Sequence, residues 1–229
     1  MEDLKDPESK KSSLPPGALA TIVGAKYGGI WRGVNIMKDC MTLNLLHNLF
    51  YYLQPKTVLD FGSWTGASAM YMADQLDLLG VKDYKVFSYD ITHDSLHPKA
   101  KADERIKYIQ ASLKDYKELF TLEFMSSLEH PIFISEDAHV NTVELLTHLN
   151  QFLKKRDFVI IEDMHPETPD DIDMETDEIK SQKELDNSKE YTLFGFLEKN
   201  PEWRVDNYFA SYFGKYSTTN GYAYLARLE

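Results

Sequence analysis

Val58-Leu59-Asp60-Phe61-Gly62-Ser63-Trp64-Thr65-Gly66-Ala67-Ser68 is the stretch whose reading decides the fold. An apolar run ends in an acid, turns through glycines and enters a segment that continues at helical spacing. A strand that turns directly into a helix places backbone, unobstructed by side chains at Gly62 and Gly66, outside the carboxyl end of a sheet. That geometry predicts a binding crevice. The glycine spacing is not the G-x-G-x-x-G of dinucleotide folds, and no nucleoside-triphosphate P-loop is present. Asp60-Phe61-Gly62 also spells a protein-kinase triplet, but the glycine-rich and catalytic-loop signatures of kinases are missing.

Outward from this turn, apolar and helical segments alternate. Upstream, Met37, Met41, Leu45, Leu46, Leu49, Phe50 and Leu53 recur at helical spacing until Pro55, which predicts a helix over 37–53 packed on a core. Strands are expected at 57–61, 85–89, 106–110, 131–134 and 158–161, with helices at 67–79, around 114–124 and at 140–153. Strands that are apolar on both faces and separated by helices indicate a parallel sheet covered on both sides. Further on, a helix is expected at 191–198 and strands at 203–209 and 221–227. The Gly-, Ser-, Thr- and Asn-rich connection between those strands makes the last pair antiparallel. Residues 1–16, charged, serine-rich and ending in Pro15-Pro16, read as a flexible tail, and 17–229 as a single domain. The acidic stretch 163–182 reads as a loop or lid.

Composition narrows the partners. Among 229 residues, 37 acidic against 25 basic side chains give a net charge of −12, which repels phosphate backbones, so nucleic acid is not expected as a partner. The longest apolar run, within 41–53, is interrupted by Asn44, His47 and Asn48 and is too short to cross a bilayer, so no membrane partner is expected. Residues 1–13 lack the apolar region of a secretory signal. The single cysteine, Cys40, excludes an internal disulfide and suits a reducing compartment. Together these predict a soluble, cytoplasmic protein. Trp31, Tyr51 and Tyr52 are expected in the core, with a place on a substrate pocket as the alternative, Cys40 is expected as a small packed side chain, and Lys38 either touches an acid or is solvated. The sequence leaves open whether the chain forms a homo-oligomer.

The turn at 58–68 resembles the first motif of class I S-adenosylmethionine-dependent methyltransferases, an acid followed by G-x-x-x-G, and Asp90 matches the acid those enzymes place after the second strand. A longer run, Trp31-Arg32-Gly33-Val34, Lys38, the following helix, Pro55 and Gly62 to Met72, resembles the rhamnosyl O-methyltransferase and cephalosporin hydroxylase-like family. The likeness continues to Asn220-Gly221-Tyr222 and is weakest in the acidic stretch. It implies an α/β, Rossmann-like class I methyltransferase fold, with a seven-stranded, mostly parallel sheet, an antiparallel last strand and helices on both faces. It also implies S-adenosyl-L-methionine as cofactor. The expected cofactor contacts are Asp60, Gly62, Ser63, Thr65, Gly66 and Ser68 in the turn, Asp90 and Ile91 after the second strand, Ala111 and Ser112 after the third, and Glu136 after the fourth. A carboxylate at a strand end can accept both ribose hydroxyls, and a helix N-terminus can hold the methionine carboxylate.

Two acidic clusters follow: Ser135-Glu136-Asp137-Ala138-His139 and Glu162-Asp163-Met164-His165. Metal-dependent sugar O-methyltransferases similar to this family carry D-x-x-H and E-D at these strand ends. The resemblance implies Glu136, Glu162 and Asp163 as oxygen ligands, Asp137 as a competing one, Mg2+ as the ion, and His139 as base with His165 in reserve. The alternative for Glu136 and Asp137 is that they cap the next helix. The implied reaction is metal-assisted O-methylation of a small-molecule hydroxyl, on a sugar or a catechol-like ring. The alternatives are a metal-independent N-methyltransferase and a non-catalytic protein that retains the fold.

Overall fold

The computed structural model describes residues 12–164, 189–214, 217, 218, 220, 221 and 223–229. Most of the expected tail, the stretch 165–182, His165 and Tyr222 therefore lie outside the described residues. The chain begins with helix α1 (Pro16–Ala25) and a hairpin of β1 (Ile30–Trp31) and β2 (Val34–Asn35), followed by α2 (Cys40–Leu53), β3 (Thr57–Phe61) and α3 (Ala67–Leu78). Next come β4 (Lys85–Asp90), β5 (Ile106–Gln110) and β6 (Ile132–Glu136). The last elements are α4 (Thr142–Asn150), β7 (Phe158–Ile161), α5 (Lys189–Lys199), β8 (Trp203–Val205) and β9 (Tyr224–Arg227).

Seven of these strands form one sheet in the order β5-β4-β3-β6-β7-β9-β8. The first five are mutually parallel, and β9 runs antiparallel to both neighbours, so the expected mostly parallel sheet with an antiparallel last strand is present. Every residue of β3, β6 and β7 is buried, which is why those strands read as continuous apolar runs. Alternate residues feed opposite faces: Val58, Phe133 and Ile160 pack against α2 and α3, whereas Leu59, Ile134 and Ile161 pack against α4 and α5. Strand order reverses between β3 and β6, the place where open α/β sheets bind ligands.

Several elements differ from the sequence reading. Pro16, taken as the last residue of the tail, is the first residue of α1, where a missing N–H costs nothing. Helix α2 begins at Cys40 rather than at 37 because the Asp39 carboxylate caps it, accepting Thr42 N–H at 2.8 Å. Cys40, Tyr51 and Tyr52 are exposed rather than core. The segment 113–126 is a 3-10 turn and two short helices, not one helix. Strand β8 stops at Val205 because Asp206 caps a helical turn over Asn207–Ala210, accepting from Tyr208 N–H at 3.0 Å. The unanticipated hairpin is tied to α3 by Trp31 Nε1–H donating to Asp74 Oδ2 at 2.8 Å, and it sets the path of the chain into Met37 and Lys38.

Candidate active site

The turn after β3 is built from below. Asp60, on the α2 and α3 face of the sheet, is buried and accepts a 2.6 Å hydrogen bond from Ser88 Oγ, which in turn lies 2.6 Å from Ser63 Oγ. Burial pushes its carboxyl up to about 6, against the opposing effects of Ser88 and the Lys38 charge. Gly62 follows with φ 101°, and a Cβ there would lie 2.5 Å from the Asp137 carbonyl oxygen. The missing side chain is what lets this turn lie against the end of β6. Trp64, at φ 42°, donates its backbone N–H to Asp90 Oδ2 at 2.8 Å, so the turn and the end of β4 are locked together. Gly66 caps α3, and a Cβ there would fall within 2.8 Å of Ala100, Leu96 and the Tyr108 hydroxyl. Thr65 Oγ1 donates to the Asn35 carbonyl at 2.6 Å.

Above this turn lies a pocket of about 560 Å³. It is lined by Gly62, Trp64, Asp90, Ile91, Ala111 and Ser112, and also by Lys26, Met37, Asp137, His139 and Asp163. Of the expected cofactor contacts, the structure places Gly62, Asp90, Ile91, Ala111 and Ser112 on the pocket wall. Asp60, Ser63, Thr65, Gly66, Ser68 and Glu136 are not on it. Asp60 and Ser63 instead support the turn from beneath, and Gly66 and Thr65 pack it against neighbouring loops.

The acidic groups separate in the same way. Asp137, His139 and Asp163 each offer a ligand atom within 4.8 Å of the others. Glu136 is not in this set: it faces α4, where Thr142 Oγ1 donates to it at 2.8 Å and Ala138 N–H at 3.2 Å. Glu162 is not in it either, because Lys38 Nζ binds its Oε1 at 2.8 Å and Ser135 Oγ lies at 3.3 Å. The structure thus assembles Asp137 and Asp163 from the expected ligand set and adds His139, the expected base. Burial opposes the charge of Lys38, but Glu162 and Asp137 outweigh it and hold the ammonium above the ordinary lysine range. Two carboxylates and an imidazole on the wall of an open pocket are a donor set that fits a divalent ion such as Mg2+ or Mn2+.

Lys26 and Met37 were not among the expected site residues. Lys26 follows α1 directly, is buried, and its Nζ lies 3.1 Å from Asp163 Oδ1. The available signal was Pro16, a helix-start residue inside what composition alone marks as a tail.

Comparison with known proteins follows the same architecture. The model of the family described as rhamnosyl O-methyltransferase/CmcI matches residues 24–228. A rhamnosyl O-methyltransferase of Mycobacterium bovis (strain BCG / Pasteur 1173P2) is 26% identical over 148 residues, covering 61% of this chain and 60% of its own length. The chain thus spans about three fifths of the length of that curated relative. Among solved structures, CmcI in its apo form superposes with a TM-score of 0.70 at 22% identity, over 89% of this chain and 77% of that one. CmcI with magnesium and S-adenosylmethionine gives 0.68 at 22% identity, over 89% and 78%. The shared architecture is the Rossmann-like methyltransferase fold.

Proposed function

This chain belongs to the rhamnosyl O-methyltransferase/CmcI family, and from that premise we propose that it is an S-adenosylmethionine-dependent methyltransferase that acts on a hydroxyl of a small polar molecule with help from a divalent ion. The observation that carries this reading is one pocket at the strand-order switch that joins Asp90 to the Asp137, His139 and Asp163 cluster. Relatives named as rhamnosyl O-methyltransferases support a sugar as acceptor.

When bound, the cofactor supplies an activated methyl group, and the ion lowers the pKa of a hydroxyl it coordinates. The chain's own residues do the rest. Asp90 has one oxygen committed to Trp64 N–H at 2.8 Å and the other 3.3 Å from Thr92 N–H; the carboxylate is thereby oriented toward the pocket to accept ribose hydroxyls. Ile91, Ala111 and Ser112 supply a mostly apolar wall beside it. Asp137 and Asp163 would hold the ion and with it align the acceptor, and such positioning is worth roughly 7–11 kcal/mol of barrier. His139 completes the ligand set or takes the acceptor proton.

The test is calorimetric titration of S-adenosylhomocysteine into the purified chain, with and without magnesium. Saturable binding is expected, weakened at least about tenfold by Asp90→Ala through loss of a charged hydrogen-bond acceptor. No binding in either condition would discard the reading and leave a protein that keeps the fold without the transfer. Chelator should abolish turnover on the hydroxylated acceptor and magnesium restore it; full turnover in chelator would instead favour metal-independent transfer, including to nitrogen. In His139→Ala, lost ion affinity marks a ligand, whereas lost turnover with ion affinity kept marks a base.

A further inference from the structure

Lys26 is an unusual tenant of the acceptor end of the pocket. The residue is 4% exposed, yet it follows a helix whose buried side chains lie outside the two cores of the sheet. Among its described side chains helix α1 buries Leu19 and Val23, in a satellite cluster with Leu14 and Ala20 that is separate from the two cores on the faces of the sheet. At the end of this helix, the ion pair with Asp163 at 3.1 Å fastens the segment to the site. The carboxylate it engages is one of the three groups of the candidate ion cluster.

The charges around that carboxylate do not accommodate both partners. Among the described residues, the ammonium groups in ion-pair reach of Asp137, Glu162 and Asp163 are Lys38 and Lys26. Lys38 cannot be the group that leaves, since it is buried on the α2 side and bound to Glu162 at 2.8 Å. Lys26 can, because the packing behind it is small. Like charges on one carboxylate in a partly buried site repel strongly.

We propose that Lys26 is a built-in competitor for Asp163, so that a divalent ion and α1 are alternative partners of that carboxylate and ion loading releases the N-terminal helix from the acceptor end of the pocket. This rests on the divalent-ion reading of the site given above. In this arrangement Lys26 sets the ion affinity from outside the ligand set, and its side chain leaves the pocket wall only when the ion needed for the reaction has arrived.

The test is titration of Mn2+ into the chelator-stripped full chain by calorimetry, together with amide hydrogen exchange of residues 16–28 with and without the ion. Lys26→Met should bind Mn2+ more tightly by about tenfold, within the range ordinary for coupled sites, and Lys26→Arg, which keeps the charge, should stay within a few-fold of the wild type. In the wild type, Mn2+ should speed exchange across α1; in Lys26→Met, exchange should already be fast and insensitive to the ion. Unchanged or weaker Mn2+ binding by Lys26→Met, or α1 exchange that does not respond to the ion in the wild type, overturns the competition while leaving the ion site standing. Absence of Mn2+ binding in all three proteins overturns the ion site and the competition together.

Discussion

Asp60 shows how a residue can be recognised in a motif and still do something other than touch a ligand. Its place at the end of an apolar strand was legible, but its burial beneath the turn, with Ser88 and Ser63 above it, was not. The consequence is a pH dependence. Its carboxyl is raised by burial to about 6 from an ordinary 3.8, so the folded state holds the proton more tightly than the unfolded chain. This contribution to stability is complete below about pH 4 and is lost as pH rises through 6, a loss of about 3 kcal/mol. Asp60→Asn has no such loss. The stability of the variant relative to wild type should therefore rise by about 2–3 kcal/mol between pH 4 and 7, as read by urea denaturation at several pH values. A difference that stays flat across that range would show that Asp60 does not titrate there.

The choice among acidic neighbours is likewise a matter of single residues. Asp137 N–H still bonds to the Phe61 carbonyl at 2.8 Å, so the β6 ladder runs one residue past its named end. Side-chain alternation then sends Glu136 toward α4 and Asp137 toward the pocket. Glu162 continues β7 in the same way, its N–H on the Glu136 carbonyl at 2.9 Å, and meets Lys38. Asp163, at φ 52°, leaves the strand direction and joins Asp137. A sequence shows two acids side by side; which one reaches the pocket depends on where the ladder ends.

Among elements, those with unbroken apolar runs were legible to within a residue or two, as β3, β6 and β7 show, because burial on both faces leaves little ambiguity. Elements ended by a cap were harder. Asp39 shortens α2, and Asp206 converts the end of an expected strand into a helical turn; in each case one side-chain hydrogen bond outweighs a weak local propensity. A third acid joins strands at the end of the sheet opposite the pocket. Asp157 is buried and accepts Ile132 N–H at 2.7 Å and Lys154 N–H at 2.6 Å, with His130 Nδ1 at 2.9 Å. Asp157→Ala leaves the buried Ile132 N–H and the partly buried Lys154 N–H without their acceptor and should cost about 2–4 kcal/mol. Chemical denaturation measures this directly, and a loss under 1 kcal/mol would mean that water takes over the bonds. Because the substitution is remote from the pocket, cofactor affinity measured below the unfolding midpoint should be unchanged.

At the scale of the molecule, the parallel sheet, its antiparallel last strand and the crevice at the strand-order switch all follow from the pattern of elements. What the pattern could not supply was the placing of Lys26 and Met37 on the pocket wall by α1 and the hairpin, whose residues carry too little apolar periodicity to announce a packed segment. The two cores share every central strand, so neither face can melt alone. Trp31 packs against one core and Trp203 lies in the other; unfolding followed by tryptophan fluorescence and by far-ultraviolet circular dichroism should give coincident transitions. Separated midpoints would show that the faces unfold independently.

The position of β9 between β7 and β8 bears on how the chain is made. A ribosome delivers β3 to β7 in an order that lets each strand join the growing parallel sheet as it emerges. Strand β8 comes out with no partner, since its only neighbour in the sheet is the strand made after it. Until β9 leaves the exit tunnel, β7 keeps an open edge and Trp203 has no sheet to lie on, a condition in which nascent chains attract chaperones or one another. Synthesis that stalls between residues 205 and 224 would therefore strand an almost finished sheet with its most adhesive edge uncovered.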